Sequence, residues 1–563
     1  MGIVTQKNRA RRAWLGLLGV SWAVASCAPG DGRGGAWFVD EASERRLTYT
    51  HVSGFAGRPL LPEITGSGGA LVDVDGDGDL DVYLVQAGSL YDEPAAPPPG
   101  NRLFINEGGR FAAAPDANGA DDAGYGMGVA AGDYDNDGDV DLYVTNVGPN
   151  VLYRNDGSGR FEDVTAMAGV ADPGWSTSAT FTDFDNDGDL DLFFTNYIHW
   201  SHAVEMNCYS GSVLTYCPPV NYNAPARDRL YRNDGDGTFT DVSASSRISS
   251  VFGNGFGVVA ADFNADGLSD IFIANDQMVD QLWLNRGGLE FEEVANLWGS
   301  AVDEHGLAKA GMGVAAADVD QDGDMDVMVT NITGQTDSFF RNEGGFFTDV
   351  TGELGLALTG RYTRWGVVMA DFDNDGLLDL YEANGMVGTE ALTKGLDFDE
   401  PNVLYRGTPG GRFEEVQPQG GVAPSLLHTS RGVAVGDVDG DGGLDLLVVN
   451  RDGPAYLLMN RVAKQGNWIR FRARLADAPR DAHGATVSAL VGDTRVYRDV
   501  QPDGSYLTSS EPVAHFGLGE QTEVRDVRVR WPGSPSGETE RFGTFEAGRT
   551  VVLLQGGEAQ PGG

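Results

Sequence analysis

The chain has 563 residues, with 83 Asp and Glu against 39 Lys and Arg, a formal charge of −44 at pH 7. That balance excludes a basic face for nucleic acid or anionic membrane. Apolar residues at 41% and aromatics at 10% exclude a disordered acidic chain. The length predicts two or more domains. Glycine, at 80 residues, is about twice ordinary usage without a collagen period, so many tight turns are expected, and three cysteines cannot be the main scaffold.

Lys7, Arg9, Arg11 and Arg12 precede an apolar run from Ala13 to Ala25. The run is shorter than the ~20 residues of a membrane span, and small residues follow it, which is the pattern of an export signal. Val24-Ala25-Ser26-Cys27 resembles the lipobox of bacterial lipoproteins. The resemblance implies that residues 1–27 are a signal peptide and lipobox, with Cys27 becoming an acylated N-terminus; an ordinary signal with a chance cysteine is the alternative. Arg11-Arg12 before Trp14-Leu15 weakly resembles a twin-arginine signal. Either way the mature chain is expected outside the cytoplasm, as a cell-envelope lipoprotein or otherwise secreted. Ala28 stands where enteric lipoproteins of the inner membrane carry Asp, which implies the outer membrane or cell surface. Residues 28–44, opening APGDGRGGA, predict a flexible tether. Since no later run approaches membrane length, the lipid is the one membrane contact expected.

From residue 73 one pattern recurs seven times, with starts 50 to 79 residues apart: DVDGDGDLD (73–81), DYDNDGDVD (133–141), DFDNDGDLD (183–191), DFNADGLSD (262–270), DVDQDGDMD (318–326), DFDNDGLLD (371–379) and DVDGDGGLD (437–445). A short apolar run precedes each, such as GVVAA, and another follows, such as IFIAN. Apolar runs beside turn signals are strands, so each loop joins a hairpin. A third strand of the type NRLFIN or NVLYRN follows, and after most of these a glycine turn leads into RFEDVT-like segments. Seven four-stranded units over 45–462 predict a seven-bladed β-propeller, whose closure removes exposed sheet edges. A strand at Leu47–Val52 is expected to latch the ring by completing the last blade. A β-solenoid is the alternative, but its rungs are shorter.

The loops carry the chemistry. Carboxylates at positions 1, 3 and 5, a backbone carbonyl at 7 and an acid at 9 converge on one point, with glycine at 6 permitting the bend. This is EF-hand logic transferred to a strand hairpin, with hard oxygen ligands that suit calcium better than magnesium. The expected ligands are Asp73, Asp75, Asp77 and Asp81; Asp133, Asp135, Asp137 and Asp141; Asp183, Asp185, Asp187 and Asp191; Asp262, Asn264, Asp266 and Asp270. They continue with Asp318, Asp320, Asp322 and Asp326; Asp371, Asp373, Asp375 and Asp379; Asp437, Asp439, Asp441 and Asp445. Up to seven structural Ca²⁺ are predicted; acidic turns that simply face water are the alternative.

GFGVVAADFNADGLSDIFIAN (255–275) and GMGVAAADVDQDGDMDVMVTN (311–331) resemble FG-GAP/VCBS repeats, the calcium-loop blades of integrin α-subunits. After Asn460 the pattern stops. Alternation in Trp468–Arg472 and Val527–Trp531 predicts a small antiparallel β-domain over 463–557, with 558–563 as a tail. His483-Gly484-Ala485, Gly504-Ser505-Tyr506-Leu507, His515-Phe516-Gly517-Leu518-Gly519 and Val529-Arg530-Trp531-Pro532 resemble the ASPIC/UnbV domain. The combination is similar to the cartilage acidic protein family and its bacterial relatives, which implies adhesion or matrix contact.

The longest interval holds an insertion, 197–227, rich in Tyr, Trp and Pro. Cys208 and Cys217, nine apart in an exported chain, are expected as a disulfide. A zinc set of His199, His202, Glu205 and Cys208 is the weaker alternative. Aromatic insertions on rigid scaffolds bind ligands or pack on the scaffold, and both remain open here. His483 and His515 are expected as domain core or turn residues, and Trp365 as blade core. No nucleophile elbow, Walker loop, Rossmann glycines or HExxH motif is present. The expected function is a calcium-stabilised, non-enzymatic binding protein of adhesion type for an extracytoplasmic protein or glycan. The alternatives are a hydrolase or lyase on a glycan or polyanion at the propeller face, and an assembly scaffold.

Overall fold

The computed structural model describes residues 35–90, 99–387, 398–476, 478–534 and 538–562. The expected signal and Cys27 lie outside them. Among the described residues no helix is long and apolar enough to cross a membrane.

Among the described residues, seven sheets follow one another along the chain, six of them four-stranded and antiparallel and the first carrying a fifth strand, Thr508–Ser509, paired in parallel with Gly69–Val72. The third is typical: Ser176–Thr182, Asp191–Asn196, Arg229–Asn233 and Phe239–Asp241, paired in that order. Every residue of its first two strands is buried. Sandwiching each sheet between neighbours buries both faces, so the inner strands read as continuous apolar runs and not as alternating ones. The inner strand of each sheet packs beside that of the next, and the seventh, Ser430–Gly436, lies beside the first, Gly69–Val72. The sheets therefore close into a β-propeller ring.

Asparagines at the ends of the third strands stitch sheet to sheet. Asn155 Nδ2 donates to the Val74 carbonyl of the preceding loop at 2.7 Å. Asn233, Asn285, Asn342 and Asn460 repeat the bond. Asn106, donating to the Val438 carbonyl at 3.3 Å, carries it across the closure.

Two expectations near the N-terminus are corrected. The fourth strand of the last sheet is Phe38–Asp40, paired with Tyr456–Asn460, and not Leu47–Val52. Trp37 and Phe38–Asp40, expected within a tether over 28–44, therefore pack on the ring. The aromatic pair Trp37-Phe38 is the physical reason: Phe38 is fully buried, edge-on to Phe372 at 5.3 Å. Thr50 keeps only an isolated bridge to Pro454.

The C-terminal domain is two four-stranded sheets around their own core, which includes Phe471, Phe516, Val527 and Trp531. It is not wholly antiparallel. Asn467–Arg474 pairs in parallel with Thr550–Leu554, a strand that returns after the long connection such pairing requires. Gln560–Pro561, expected in the tail, adds to that sheet's edge.

Residues 501–511 leave this domain and thread the middle of the ring. Hydrogen bonds join the strap to Ala260, Val314, Val367, Ser178, Val129 and Val433, one in each of six sheets. Thr508–Ser509 pairs with the start of Gly69–Val72 in the remaining one. The glycines of the inner strands make room for it: a Cβ on Gly68 would stand 2.2 Å from the Leu507 carbonyl oxygen and 2.8 Å from the Gly128 Cα.

Candidate metal centres at the hairpin bends

Each bend is built by the same local rules. Glycine at position 6 is left-handed in all seven, as at Gly78 (φ 94°) and Gly188 (φ 101°). Position 4 is left-handed as well, at Gly76, Asn136, Asn186, Ala265, Gln321, Asn374 and Gly440. Asparagine tolerates that region, which explains the recurring Asn-Asp-Gly. The N–H of the position-6 glycine donates to Oδ2 of the first aspartate throughout, at 2.8–3.2 Å.

The ninth aspartate is more than a late ligand. Asp81 Oδ2 accepts the Val74 N–H at 3.0 Å and Oδ1 accepts the Asn106 N–H at 2.7 Å, so one carboxylate ties the bend to the third strand. The pair of bonds recurs at Asp141, Asp191, Asp270, Asp326, Asp379 and Asp445.

Carboxylate oxygens converge within 4.8 Å of one another in the trios Asp73/Asp75/Asp81, Asp133/Asp135/Asp141, Asp183/Asp185/Asp191, Asp318/Asp320/Asp322 and Asp371/Asp373/Asp379. In the first three the fifth-position acids Asp77, Asp137 and Asp187 are outside the trio; each instead accepts the N–H of position 7 at 2.9–3.0 Å. Burial pushes Asp133, Asp183, Asp318 and Asp437 up to about 6, Asp81 up to about 7, and Asp191, Asp326 and Asp371 up to about 8. Asp75 Oδ1, Asp135 Oδ1 and Asp183 Oδ1 are buried without a hydrogen-bond partner. Clustered, desolvated, unpartnered carboxylate oxygens fit a hard divalent cation.

The bends differ in the basic groups they meet. Arg45 binds Asp439 at 2.8 Å, Arg406 binds Asp373 at 3.0 Å and Arg341 binds Asp320 at 3.3 Å. The C-terminal domain sits on this end of the ring and aims arginines at all seven first-position aspartates. Arg470 pairs with Asp437 at 3.0 Å, and Arg530 pairs with Asp262. Arg480, bonded to Asn136 Oδ1 and the Gly188 carbonyl, opposes the upward shifts of Asp133 and Asp183. Arg498 does so for Asp318 and Asp371, and Arg472 for Asp73. His483 Nδ1 donates to the Phe181 carbonyl and His515 Nε2 to Asn374 Oδ1, so both buried histidines belong to this interface.

On the insertion, Cys208 and Cys217 form a disulfide closing a hairpin of Cys208–Ser210 and Val213–Thr215. The zinc alternative falls with it: the Cys208 sulfur is bonded, and Glu205 is held by Trp200 Nε1 and the Tyr222 hydroxyl, each at 2.7 Å. Trp365 is buried, donating from Nε1 to the Gly385 carbonyl.

Comparison with known proteins agrees with the geometry. Residues 73–144, 133–194, 220–273, 262–329 and 318–382 match the FG-GAP-like repeat, and residues 476–560 match ASPIC and UnbV. The bend at 437–445 lies outside the matched repeats but forms the same hairpin. Cartilage acidic protein 1 of Xenopus tropicalis is 30% identical over 313 residues, covering 52% of this chain and 44% of that protein. The Homo sapiens protein is 31% identical over 299 residues, covering 52% and 43%. The chain thus aligns with less than half the length of these relatives. Among solved structures, an Agrocybe aegerita lectin recognising non-reducing terminal N-acetylglucosamine gives a TM-score of 0.36 at 16% identity, covering 69% of this chain and 86% of that one. YCF48 bound to D1 peptide gives 0.39 at 7%, covering 72% and 96%. The matched repeats together span half of the sequence, and the chain belongs to the FG-GAP-like repeat family, with an ASPIC/UnbV domain at its C-terminal end.

Proposed function

We propose that the chain is a calcium-stabilised, non-catalytic binding protein of adhesion type, exported through residues 1–27 and anchored by lipid on Cys27. It presents the free end of its propeller to an extracytoplasmic protein or glycan. The carrying observation is the set of aspartate trios at the bends, with buried oxygens that lack any protein partner. The acids of the first three bends fit Ca²⁺ best, because among the described residues no arginine is salt-bridged to them, whereas Arg406, Arg45 and Arg470 already engage the sixth and seventh. Bound Ca²⁺ would add to the positive charge that Arg472 and Arg480 offer these carboxylates. Since the C-terminal domain covers the bends, the opposite end is the one left for a partner, and the disulfide-closed insertion lies there.

Calcium titrated calorimetrically into chelator-treated protein is expected to bind at three or more sites in the range of ~10⁻⁴–10⁻³ M typical of extracellular modules. EGTA is expected to lower the Tm. No heat of binding together with an unchanged Tm would refute calcium stabilisation. Export and anchoring are checked separately, by fractionation and by loss of membrane association in Cys27→Ser.

A further inference from the structure

The second strand of every hairpin begins at an aspartate bend and ends at the far side of the ring. There, in the mouth of the ring, lies a cavity of about 430 Å³. Its inner walls are Tyr197, Phe256, Met312 and Trp365, all buried. The insertion forms its outer wall through the Cys208–Cys217 disulfide and Thr215, with the exposed Tyr209 at its edge.

Among the described residues, Asp276 is the one charged residue lining this cavity. It is 5% exposed, its Oδ2 accepts the Tyr197 hydroxyl at 2.6 Å, and its Oδ1 has no hydrogen-bond partner. The Thr215 hydroxyl, 4% exposed, is also unpartnered. Burial raises the Asp276 pKa to about 6, opposed only by two neutral side chains, Tyr197 and Gln277. Among the described residues no lysine or arginine is paired with this buried carboxylate. The fully buried Asp337, by contrast, is paired with Arg364 at 2.7 Å.

A lone buried carboxylate is unfavourable unless a cation completes it. Tyr197 and Phe256, stacked on each other at 4.2 Å, form an apolar wall beside it. The net charge of −44 draws cations toward the whole molecule and repels anions.

We propose that this cavity binds a small organic cation, an ammonium group carried on an apolar body, with the ammonium on Asp276 and the body against Tyr197, Phe256 and Met312. The site goes beyond the calcium reading and uses none of the bend residues.

The test is calorimetric titration of the calcium-loaded protein with benzylammonium chloride, benzyl alcohol and N-acetylglucosamine in parallel. Benzylammonium is expected to saturate one site, and benzyl alcohol, the same ring without charge, to bind about tenfold more weakly or less. Asp276→Asn, which keeps an acceptor for Tyr197, is expected to lower benzylammonium affinity by a similar factor with little change in Tm. If that variant fails to fold, a crystal of the unaltered protein soaked in 4-bromobenzylammonium decides instead, with anomalous bromine signal expected in the cavity. Equal binding of benzyl alcohol, tighter binding of the sugar, no saturation, or bromine located elsewhere overturns the proposal. Each of these outcomes leaves the chelator experiment on the bends unaffected.

Discussion

At the scale of single residues, the aspartates of one bend do two separable jobs. Asp191 accepts two backbone N–H groups, from Phe184 and Asn233, whereas Asp187 accepts one from within its own exposed bend. Asp191→Ala strands two buried donors and is expected to cost ~2–6 kcal/mol, with or without calcium. Asp187→Ala, at a ligand position expected from the sequence but outside the carboxylate trio, is expected to matter only while calcium is present. Denaturant unfolding of both variants with Ca²⁺ and with EGTA checks this; a chelator-independent loss in Asp187→Ala would remove that residue from the ligand set. A second pattern links the strands away from the bends. Asn101, Asn150 and Asn402 each donate from Nδ2 to a tyrosine hydroxyl, of Tyr83, Tyr143 and Tyr381. Where the equivalent residue is Asp228 or Asp280, the tyrosine is replaced by Phe193 or Phe272. Asp228 Oδ1 still accepts the Asn196 N–H, but burial pushes its pKa up to about 7. Because the folded value is raised, the stability this group contributes is full below about pH 4 and is lost as pH rises through about 7. Phe193→Tyr with Asp228→Asn is therefore expected to gain in Tm over the parent between pH 5 and pH 8, while Asp228→Asn alone, lacking the hydroxyl, loses ~1–3 kcal/mol. A pH-independent difference between parent and double variant would contradict this.

Strands and turns were largely legible because the bend motif marks both flanking strands, and glycine at position 6 and apolar runs have local causes. The latch and the strap were not. Phe38–Asp40 pairs with Met459 and its neighbours across more than 400 residues, and no local pattern distinguishes three extended residues from a tether. Gly504-Ser505-Tyr506-Leu507 stood out in the sequence, yet its role depends on seven sheets that meet only in three dimensions. The glycines of the inner strands held the missing signal. Their recurrence marks a backbone approached closely by another, and the candidate aspartates gave no hint of what approaches. Two substitutions test these elements. Phe38→Ala empties a fully buried aromatic site and is expected to cost ~3–5 kcal/mol. Gly68→Ala places a Cβ against two stretches of backbone that cannot both yield, and is expected to destabilise by ~1–3 kcal/mol or more. Unchanged urea midpoints in either variant would show that the latch or the strap contributes little to closure.

At the scale of the whole molecule, a ring of first-position aspartates faces a domain that offers arginines to each of them. The arrangement answers an electrostatic difficulty that composition announces, since −44 net charges must coexist with carboxylates drawn into seven bends. Two sources of positive charge would serve the same acids: the divalent ions proposed for the bends, and Arg470, Arg472, Arg480, Arg498 and Arg530 from the docked domain. They are therefore expected to substitute partly for one another. Arg480 is the clearest probe, being 4% exposed, bonded to two bends, and near Asp133 and Asp183 together. Removing it leaves two buried carboxylates uncompensated when no metal is present, a loss of ~3–5 kcal/mol. With saturating calcium the same acids are neutralised, and the loss in Arg480→Ala is expected to be smaller. A double cycle of Arg480→Ala against calcium, read by denaturant unfolding, measures that coupling. Equal losses with Ca²⁺ and with EGTA would mean that the two charges act independently and that the docked domain does not share in holding the bends.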